Sequence, residues 1–296
     1  MNSMLFKRKA PLLVFLIPAF ACMTVFLFYP FLFNIYNSFC RITALGARPS
    51  RLVGLANYRQ LAADPLIRTS LLNTLILMAL TVIFQVGIAL ILALLVDSIR
   101  KGAGFFRTVY FFPIVISATA LGLLFDLMLL YTDGSTGGMF NQILAALGQR
   151  PVNFKGQNYA FVTMCIPVLW QYVGFYFVII LAGIGGIPED IFESAALDGA
   201  TGLKKLRYVT LPMIYNVLVT CLILSITGAL KVFDLPWTMF PAGIPFNSTY
   251  LLGTYMYQQT FEMQTVGYGS AISVLIVVLG VALSQIANAV FKPRDY

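Results

Sequence analysis

The sequence lacks histidine entirely and is poor in charge, since only 10% of its 296 residues are Asp, Glu, Lys or Arg. It has four cysteines, at positions Cys22, Cys40, Cys165 and Cys221. These cysteines are far apart and show neither metal-ligand spacing nor a disulfide framework. The stretch 199–205 also lacks the spacing of a nucleotide-binding P-loop. We therefore expect no catalytic residues, no metal site and no cofactor on this chain.

Long apolar segments are the main feature that is present. Hydrophobic residues make up 59% of the chain, and its mean hydropathy is +0.87, which is more apolar surface than a water-soluble core could bury. Six charge-free windows each reach the ~18 to 20 residues that a helix needs to cross the hydrocarbon. The sequence therefore predicts an all-α integral membrane protein with one transmembrane domain, residues 1–296. The approximate spans are 11–36, 70–96, 108–130, 159–184, 210–233 and 264–290. The first apolar run is too long for a cleaved signal peptide, so we interpret it as a retained helix.

Lys and Arg outnumber Asp and Glu by 19 to 11, and their positions predict an orientation. They occur in short patches beside apolar runs, which favours lipid headgroups over nucleic acid as their partner. The segments on the side of the two termini contain eleven cations: Lys7, Arg8, Lys9, Arg100, Lys101, Arg107, Lys204, Lys205, Arg207, Lys292 and Arg294. The opposite segments contain seven: Arg41, Arg48, Arg51, Arg59, Arg68, Arg150 and Lys155. The positive-inside rule therefore predicts that both termini are cytoplasmic, with outer segments at 41–68 and 131–155.

The loop at 185–209, between the fourth and fifth spans, predicts a short helix outside the bilayer. Pro188 suits the first helical position, and the two acidic residues after it favour the positive end of the helix dipole. Gly199 can adopt the left-handed conformation that ends a helix. Ile191 and Ala195 share a face, and two adjacent alanines keep one surface thin enough for a groove on a partner.

The same loop contains a motif that resembles the EAA loop of ABC importer permeases. The matching residues are Glu193, Ser194, Ala195, Asp198, Gly199, Ala200, Leu211 and Pro212. The resemblance implies a type I ABC importer permease, in which this segment is a coupling helix that sits in a cleft of an ATPase subunit. It also implies that Glu193 faces a basic residue there. The alternative is a solvated amphipathic connector, because each capping signal alone is common.

Other stretches resemble maltose-transporter-type sugar permeases, and the resemblance covers nearly the whole chain. They include Tyr29-Pro30, the sequence VGLANY at 53–58, Asn73-Thr74 and Phe112-Pro113. The resemblance implies import of a sugar or oligosaccharide by alternating access across a bacterial inner membrane. The implied partners are a second, usually different permease subunit, an ATPase dimer that binds ATP and Mg²⁺, and an extracytoplasmic solute-binding protein. Residues 239–245 depart from the family, which often has a Thr-Gly-Gly-Gly-Pro turn there.

Polar and aromatic residues inside two spans are candidates for the solute pathway, because a polar group in the bilayer must face protein or water. In the fourth span they are Trp170, Gln171, Tyr172, Gly174 and Phe177. In the fifth span they are Ser225, Gly228, Ala229 and Val232. The resemblance implies that these positions correspond to sugar-contacting stretches. The alternative is that they pack helix against helix, as small and aromatic residues commonly do in membranes.

Other functions remain open at this stage. The same architecture could import glycerol phosphate, a polyol or an amino acid, although a phosphate would favour several cations in the pathway and only Lys231 lies near it. An ion-coupled carrier would need ionisable groups in the bilayer or an inverted repeat, and the sequence offers only Asp126 and Lys231. A structural assembly factor is a further alternative. We predict that Lys231 pairs with Asp234 on one helix face and that Asp126 is a rim or interface residue.

Overall fold

The structure is a computed structural model that describes residues 9–46, 51–99, 102–132, 137–245 and 247–292. Long apolar helices dominate it, and the chain divides into two compact units. The first unit comprises the residues up to Asp64 together with Met256–Leu275, and the second comprises Pro65–Tyr255 together with the residues from Ile276 onward. Six cations used for the predicted orientation lie outside the described residues: Lys7, Arg8, Arg48, Arg100, Lys101 and Arg294.

The first unit begins with a long helical span. Helices α1 (Lys9–Met23) and α2 (Tyr29–Ser38) are joined by a π-helical stretch, Thr24–Phe28. From Leu16 onward this span is apolar and largely exposed, as expected of a helix in contact with lipid or with another subunit. Two short antiparallel strands follow, β1 (Cys40–Arg41) and β2 (Arg51–Leu52), and then helix α3 (Ala56–Ala63). This two-residue ribbon is a small addition to the predicted all-α architecture.

The VGLANY stretch ties the ribbon to the end of the first span. Asn57 Nδ2 donates hydrogen bonds to the carbonyl oxygens of Ser38 (2.8 Å) and Cys40 (3.0 Å). The hydroxyls of Ser38 and Tyr58 are 2.7 Å apart. A Cβ at Gly267 would clash with the Cys40 carbonyl oxygen, so only glycine permits this close approach. The ribbon is therefore held by the side chain of Asn57 in addition to its own short ladder.

The second unit contains most of the membrane helices. The second span is continuous, from α4 (Pro65–Leu80) through a π-helical stretch (Thr81–Val86) to α5 (Gly87–Asp97). Helices α6 (Ala103–Val115), α7 (Ala118–Met128), α8 (Met139–Ala146) and α9 (Ala160–Gly185) follow. Next come α10 (Glu189–Leu197), α11 (Leu203–Lys205), a π-helical stretch (Leu206–Thr210), α12 (Leu211–Met213), α13 (Tyr215–Ala229), α14 (Asp234–Met239) and a short 3₁₀ helix (Pro241–Gly243). Helix α15 (Leu252–Tyr257), a π-helical stretch (Gln258–Glu262) and α16 (Val266–Val290) complete the chain, with α15 and α16 belonging partly to each unit.

Among the described residues, five helices are long and apolar enough to cross a membrane, and the bent pair α6–α7 would make a sixth span. The predicted third span, 108–130, is not one continuous helix, because α6 and α7 meet at an angle of 92°. Pro113 lies in the last turn of α6, and Ile116 is extended. Ser117 then starts a new helix, since its Oγ accepts a hydrogen bond from the Ala120 N–H (3.2 Å). Helix α13 also ends at Ala229, four residues before the predicted end of the fifth span.

Candidate functional site

The predicted coupling loop forms the short helix α10, which lies between α9 and α11 in the chain. Pro188 precedes this helix as its N-cap, with an extended ψ of 138°, and is not its first residue as predicted. Glu189 and Asp190 occupy the first turn, where their charges complement the helix dipole. Gly199 has a φ of 74°, so it ends the helix in the predicted left-handed conformation.

One face of α10 anchors the loop to the transmembrane helices. Ile191 and Phe192 pack against the buried apolar cluster formed by α5, α9 and α13. Lys205 Nζ lies 3.8 Å from the centre of the Phe192 ring, a cation–π contact that joins α10 to α11. Ala195 is half-buried on the same side. The face that Ile191 and Ala195 share is therefore an inner, anchoring face.

The other face of α10 is open. Glu193, Ser194, Asp198 and Gly199 are exposed, whereas Ala200 is half-buried. Two apolar side chains stand out on this loop, because Leu197 is 91% exposed and Leu203 is 83% exposed. Leu211 and Pro212 are half-buried, and Leu211 packs against the same cluster as Ile191. The predicted motif thus divides into an exposed part on α10 and a part that connects the loop to the membrane helices.

A cavity of about 190 Å³ lies between the second span, α9 and α13. It is lined by five of the predicted pathway residues: Tyr172, Ser225, Gly228, Ala229 and Val232. It is also lined by Thr81, Gln85, Val168, Tyr176 and Lys231, which were not in the predicted set. Thr81 and Gln85 are polar residues in a charge-free span, and this is the signal by which the sequence could have identified them.

The polar groups around this cavity differ in how they are satisfied. Gln85 Nε2 donates to the carbonyl oxygen of Val168 (2.9 Å), which fixes its side chain against α9. Ser225 is 1% exposed, and its Oγ makes no hydrogen bond of normal geometry to a described residue. Tyr176, on the facing helix, lines the same cavity. Lys231 is exposed at the cavity wall and does not form the predicted pair with Asp234. Asp126, the other acidic residue considered, forms an ion pair with Lys155.

The remaining predicted residues of the fourth span lie outside this cavity. Phe177 is fully buried, with its ring edge-on to Tyr110 of α6 at 5.4 Å between centroids. A Cβ at Gly174 would clash with the Tyr110 carbonyl oxygen, so this glycine allows α6 and α9 to pack closely. Gln171 Nε2 donates to the Ile116 carbonyl oxygen (3.2 Å) at the break between α6 and α7. These three residues hold helices together.

Trp170 lines a second, larger cavity of about 900 Å³ that is almost entirely apolar. This cavity lies along α5, α6 and α9, and its walls are aliphatic and aromatic side chains such as Phe84 and Val109. The Trp170 ring is 6.0 Å from that of Phe125. Trp170 and Tyr172 are two residues apart in α9 and therefore open to different cavities.

Comparison with known proteins agrees with these features. Residues 103–294 match the family described as "Binding-protein-dependent transport system inner membrane component". The chain is 30% identical over 284 residues to the "Probable ABC transporter permease protein YurN" of Bacillus subtilis, covering 94% of this chain and 95% of that one. It is 30% identical to the arabinooligosaccharides transport system permease protein of the same bacterium, covering 97% and 90%. It is 31% identical to the lactose transport system permease protein of Rhizobium radiobacter, covering 92% and 90%.

The fold also matches a solved structure. A crystal structure of a bacterial ABC transporter involved in the import of the acidic polysaccharide alginate contains a chain that superposes with a TM-score of 0.84. The match covers 97% of this chain and 96% of that chain, at 21% sequence identity. At this identity the likeness shows a shared fold and no more.

Proposed function

The chain belongs to the family of binding-protein-dependent transport system inner membrane components, and from this premise we propose that it is a permease subunit that imports a sugar or oligosaccharide. The names of its relatives support a carbohydrate cargo, since two of them transport arabinooligosaccharides and lactose. The observation that carries the proposal is α10, a short helix anchored on one face and open on the other.

The open face of α10 suits a partner that hydrolyses ATP. Leu197 and Leu203 offer apolar surface, and Glu193 and Asp198 offer charge beside it. We assign this face to a cleft of a separate ATPase subunit, which binds ATP and Mg²⁺ as one half of a dimer. The chain itself then has no catalytic role and acts as the transport subunit.

Coupling follows from the anchoring contacts. ATP and solute can be coupled only if each favours a different conformation of the permease. The packing of Ile191 and Phe192 against α5, α9 and α13 means that a displacement of α10 is passed on to the helices that line the 190 Å³ cavity. This gives alternating access a mechanical basis: closure of the ATPase dimer moves α10, and the cavity wall moves with it.

The cavity provides the chemistry for a sugar. Tyr172 and Tyr176 offer flat rings and hydroxyls, and Ser225 Oγ is a buried group available to a ligand hydroxyl. A volume of about 190 Å³ is below the ~300 Å³ of typical ligand pockets. We therefore assign to this chain part of the pathway, with a second, different permease subunit completing it.

The orientation follows from the same assignment. A cytoplasmic ATPase requires the loop at 185–209 to be cytoplasmic, which agrees with the cation count and places both termini on that side. This holds if the bent pair α6–α7 crosses the membrane once. The segment between the first and second spans then lies outside, where an extracytoplasmic solute-binding protein delivers the cargo.

The test is reconstitution of the full transporter in vesicles with variants of α10. We expect Glu193→Ala to reduce co-purification of the ATPase and ATP-driven uptake, because this side chain lies on the open face. Glu189→Ala is the matched control, since it removes the same charge from the exposed first turn of the same helix. Undiminished assembly and uptake in Glu193→Ala would refute the coupling role. Uptake that persists without any ATPase would support an ion-coupled carrier instead.

A further inference from the structure

Lys231 is a charged residue in the interior of the helix bundle. It lines the cavity of about 190 Å³ together with Thr81 and Tyr172. Thr81 lies near the middle of the 33-residue second span, and Tyr172 near the middle of the 26-residue helix α9. Lys231 also lines a groove of about 450 Å³ along α13 and α16, whose wall includes Gly280 from the middle of the 25-residue helix α16. Its neighbours therefore come from the middle of three spans, away from the ends of the bundle.

The ammonium group of Lys231 has no carboxylate partner among the described residues. Asp234, three residues later, does not pair with it, and Asp126 pairs with Lys155. A charged side chain at this depth is costly in lipid, so such residues face the bundle interior or a water-filled cavity and mark solute pathways. Reaching the headgroups is an option for lysines near helix ends, where Lys231 does not lie. Its counter-charge is therefore expected from a molecule that enters the cavity or from a neighbouring subunit.

The other polar groups of the cavity favour a ligand over a neighbouring subunit. Ser225 is 1% exposed, and its Oγ has no hydrogen-bond partner among the described residues. A side chain this buried is out of reach of another subunit's surface, whereas a small solute inside the cavity meets it. Tyr172 and Tyr176 add two phenol groups to the same walls. An ammonium group beside several hydroxyls can bind an anionic group and sugar hydroxyls in one ligand.

We propose that the cargo is a carbohydrate that carries a carboxylate, such as a uronate unit, and that Lys231 is the residue that selects it. The proposal rests on the proposed function, because it assigns a substrate class to the same cavity. Hydrogen bonds from a lysine to a carboxylate are charge-assisted, and they are shorter and stronger than those to a neutral hydroxyl. One lysine balances one carboxylate, whereas a phosphate group carries about −1.5 to −2 charges at pH 7 and would leave negative charge uncompensated.

The experiment measures ATP-driven uptake by the complete transporter in vesicles, with the same solute-binding protein in every assay. The probes are a panel of short labelled oligosaccharides that each contain one uronate unit, and the same compounds as neutral methyl esters. We expect Lys231→Met to raise the half-saturating concentration for the acid about ten- to hundredfold and to leave that for the ester within about twofold. Lys231→Arg keeps a charge and should keep uptake of the acid. Lys292→Met is the control, because it makes the same change at an exposed lysine that does not line the cavity.

Co-purification of the transporter subunits shows whether each variant is assembled. Wild-type uptake of neutral sugars alone would overturn the proposal and leave the proposed function intact. Unchanged uptake of the acid by an assembled Lys231→Met variant would also overturn it. Loss of assembly in Lys231→Met but not in Lys231→Arg would overturn it in favour of an ion pair with a second permease subunit. If the wild type takes up no member of the panel with ATP, the proposed function itself fails, which is a separate outcome.

Discussion

Leu197 gives the most direct quantitative test of the coupling loop. Its side chain is 91% exposed, so nearly all of its apolar surface is available to a partner. Burial is worth about 0.8 kcal/mol for each CH₂ or CH₃ group, and Leu197→Ala removes three such carbons. The expected loss is about 2.4 kcal/mol, which is about fiftyfold in the dissociation constant of the ATPase.

The assay titrates the purified ATPase against the permease pair in nanodiscs and follows nucleotide hydrolysis in parallel. Leu197→Met conserves volume and should keep the affinity within about threefold of wild type. Leu127→Ala is the matched control, because Leu127 is 66% exposed on α7, away from the coupling loop. An unchanged affinity for Leu197→Ala would refute the assignment of this face to the ATPase. Equal weakening by Leu127→Ala would show that the effect is not specific to the loop.

Three further predictions concern the helices around the cavity and the loop. Gly174→Ala should destabilise the protein by about 1–3 kcal/mol in a thermal melt, because the added Cβ clashes with the backbone of α6. By contrast, the Cβ of Gly228→Ala meets only one atom, at 3.9 Å. This variant should fold normally, but it should narrow the cavity and slow uptake. Lys205→Gln should remove about 1 kcal/mol of cation–π interaction with Phe192 and increase hydrogen exchange in α10; unchanged exchange would contradict the anchoring role. Ser117→Ala should cost about 1 kcal/mol by removing the N-cap of α7, detected as a lower melting temperature, and Ser117→Asn should restore it.

Local signals in the sequence were sufficient to predict helix α10 in the loop at 185–209. The acidic first turn and the left-handed Gly199 each act within a few residues, so α10 and its end were confirmed. The position of Pro188 differs by one place because its ψ is extended, which puts it before the helix. The direction of the helix faces was harder to predict, because Ile191 could equally meet this chain or a partner.

The residues that line the cavity were predicted better on α13 than on α9, because the two helices differ in how their apolar residues are distributed. On α13 the spacing of Ser225, Gly228 and Ala229 fixes a common face, and Val232 lines the same cavity beyond the end of that helix. Helix α9 is apolar on all sides, so hydropathy gives no information about which residues face α6 and which face α13. Phe177 and Tyr172 could therefore be separated only by tertiary packing.

Hydrophobic periodicity also could not predict the bend in the third span or the two-residue ribbon. Pro113 lies in the last turn of α6 and Ser117 caps α7, but an angle of 92° depends on what the two helices pack against. Strands of two residues show no alternation to recognise.

The amide of Gln171 has a consequence for how the protein moves. The Ile116 carbonyl lies at a break in the helix, where the side chain of Gln171 on α9 supplies a donor. An unsatisfied carbonyl in hydrocarbon costs about 2–7 kcal/mol. Sliding of α9 past α6 would break this hydrogen bond and leave the Ile116 carbonyl oxygen without this donor. The break between α6 and α7 is therefore expected to move together with α9 as a rigid unit. The hinge of the transport cycle then lies elsewhere in the helix bundle.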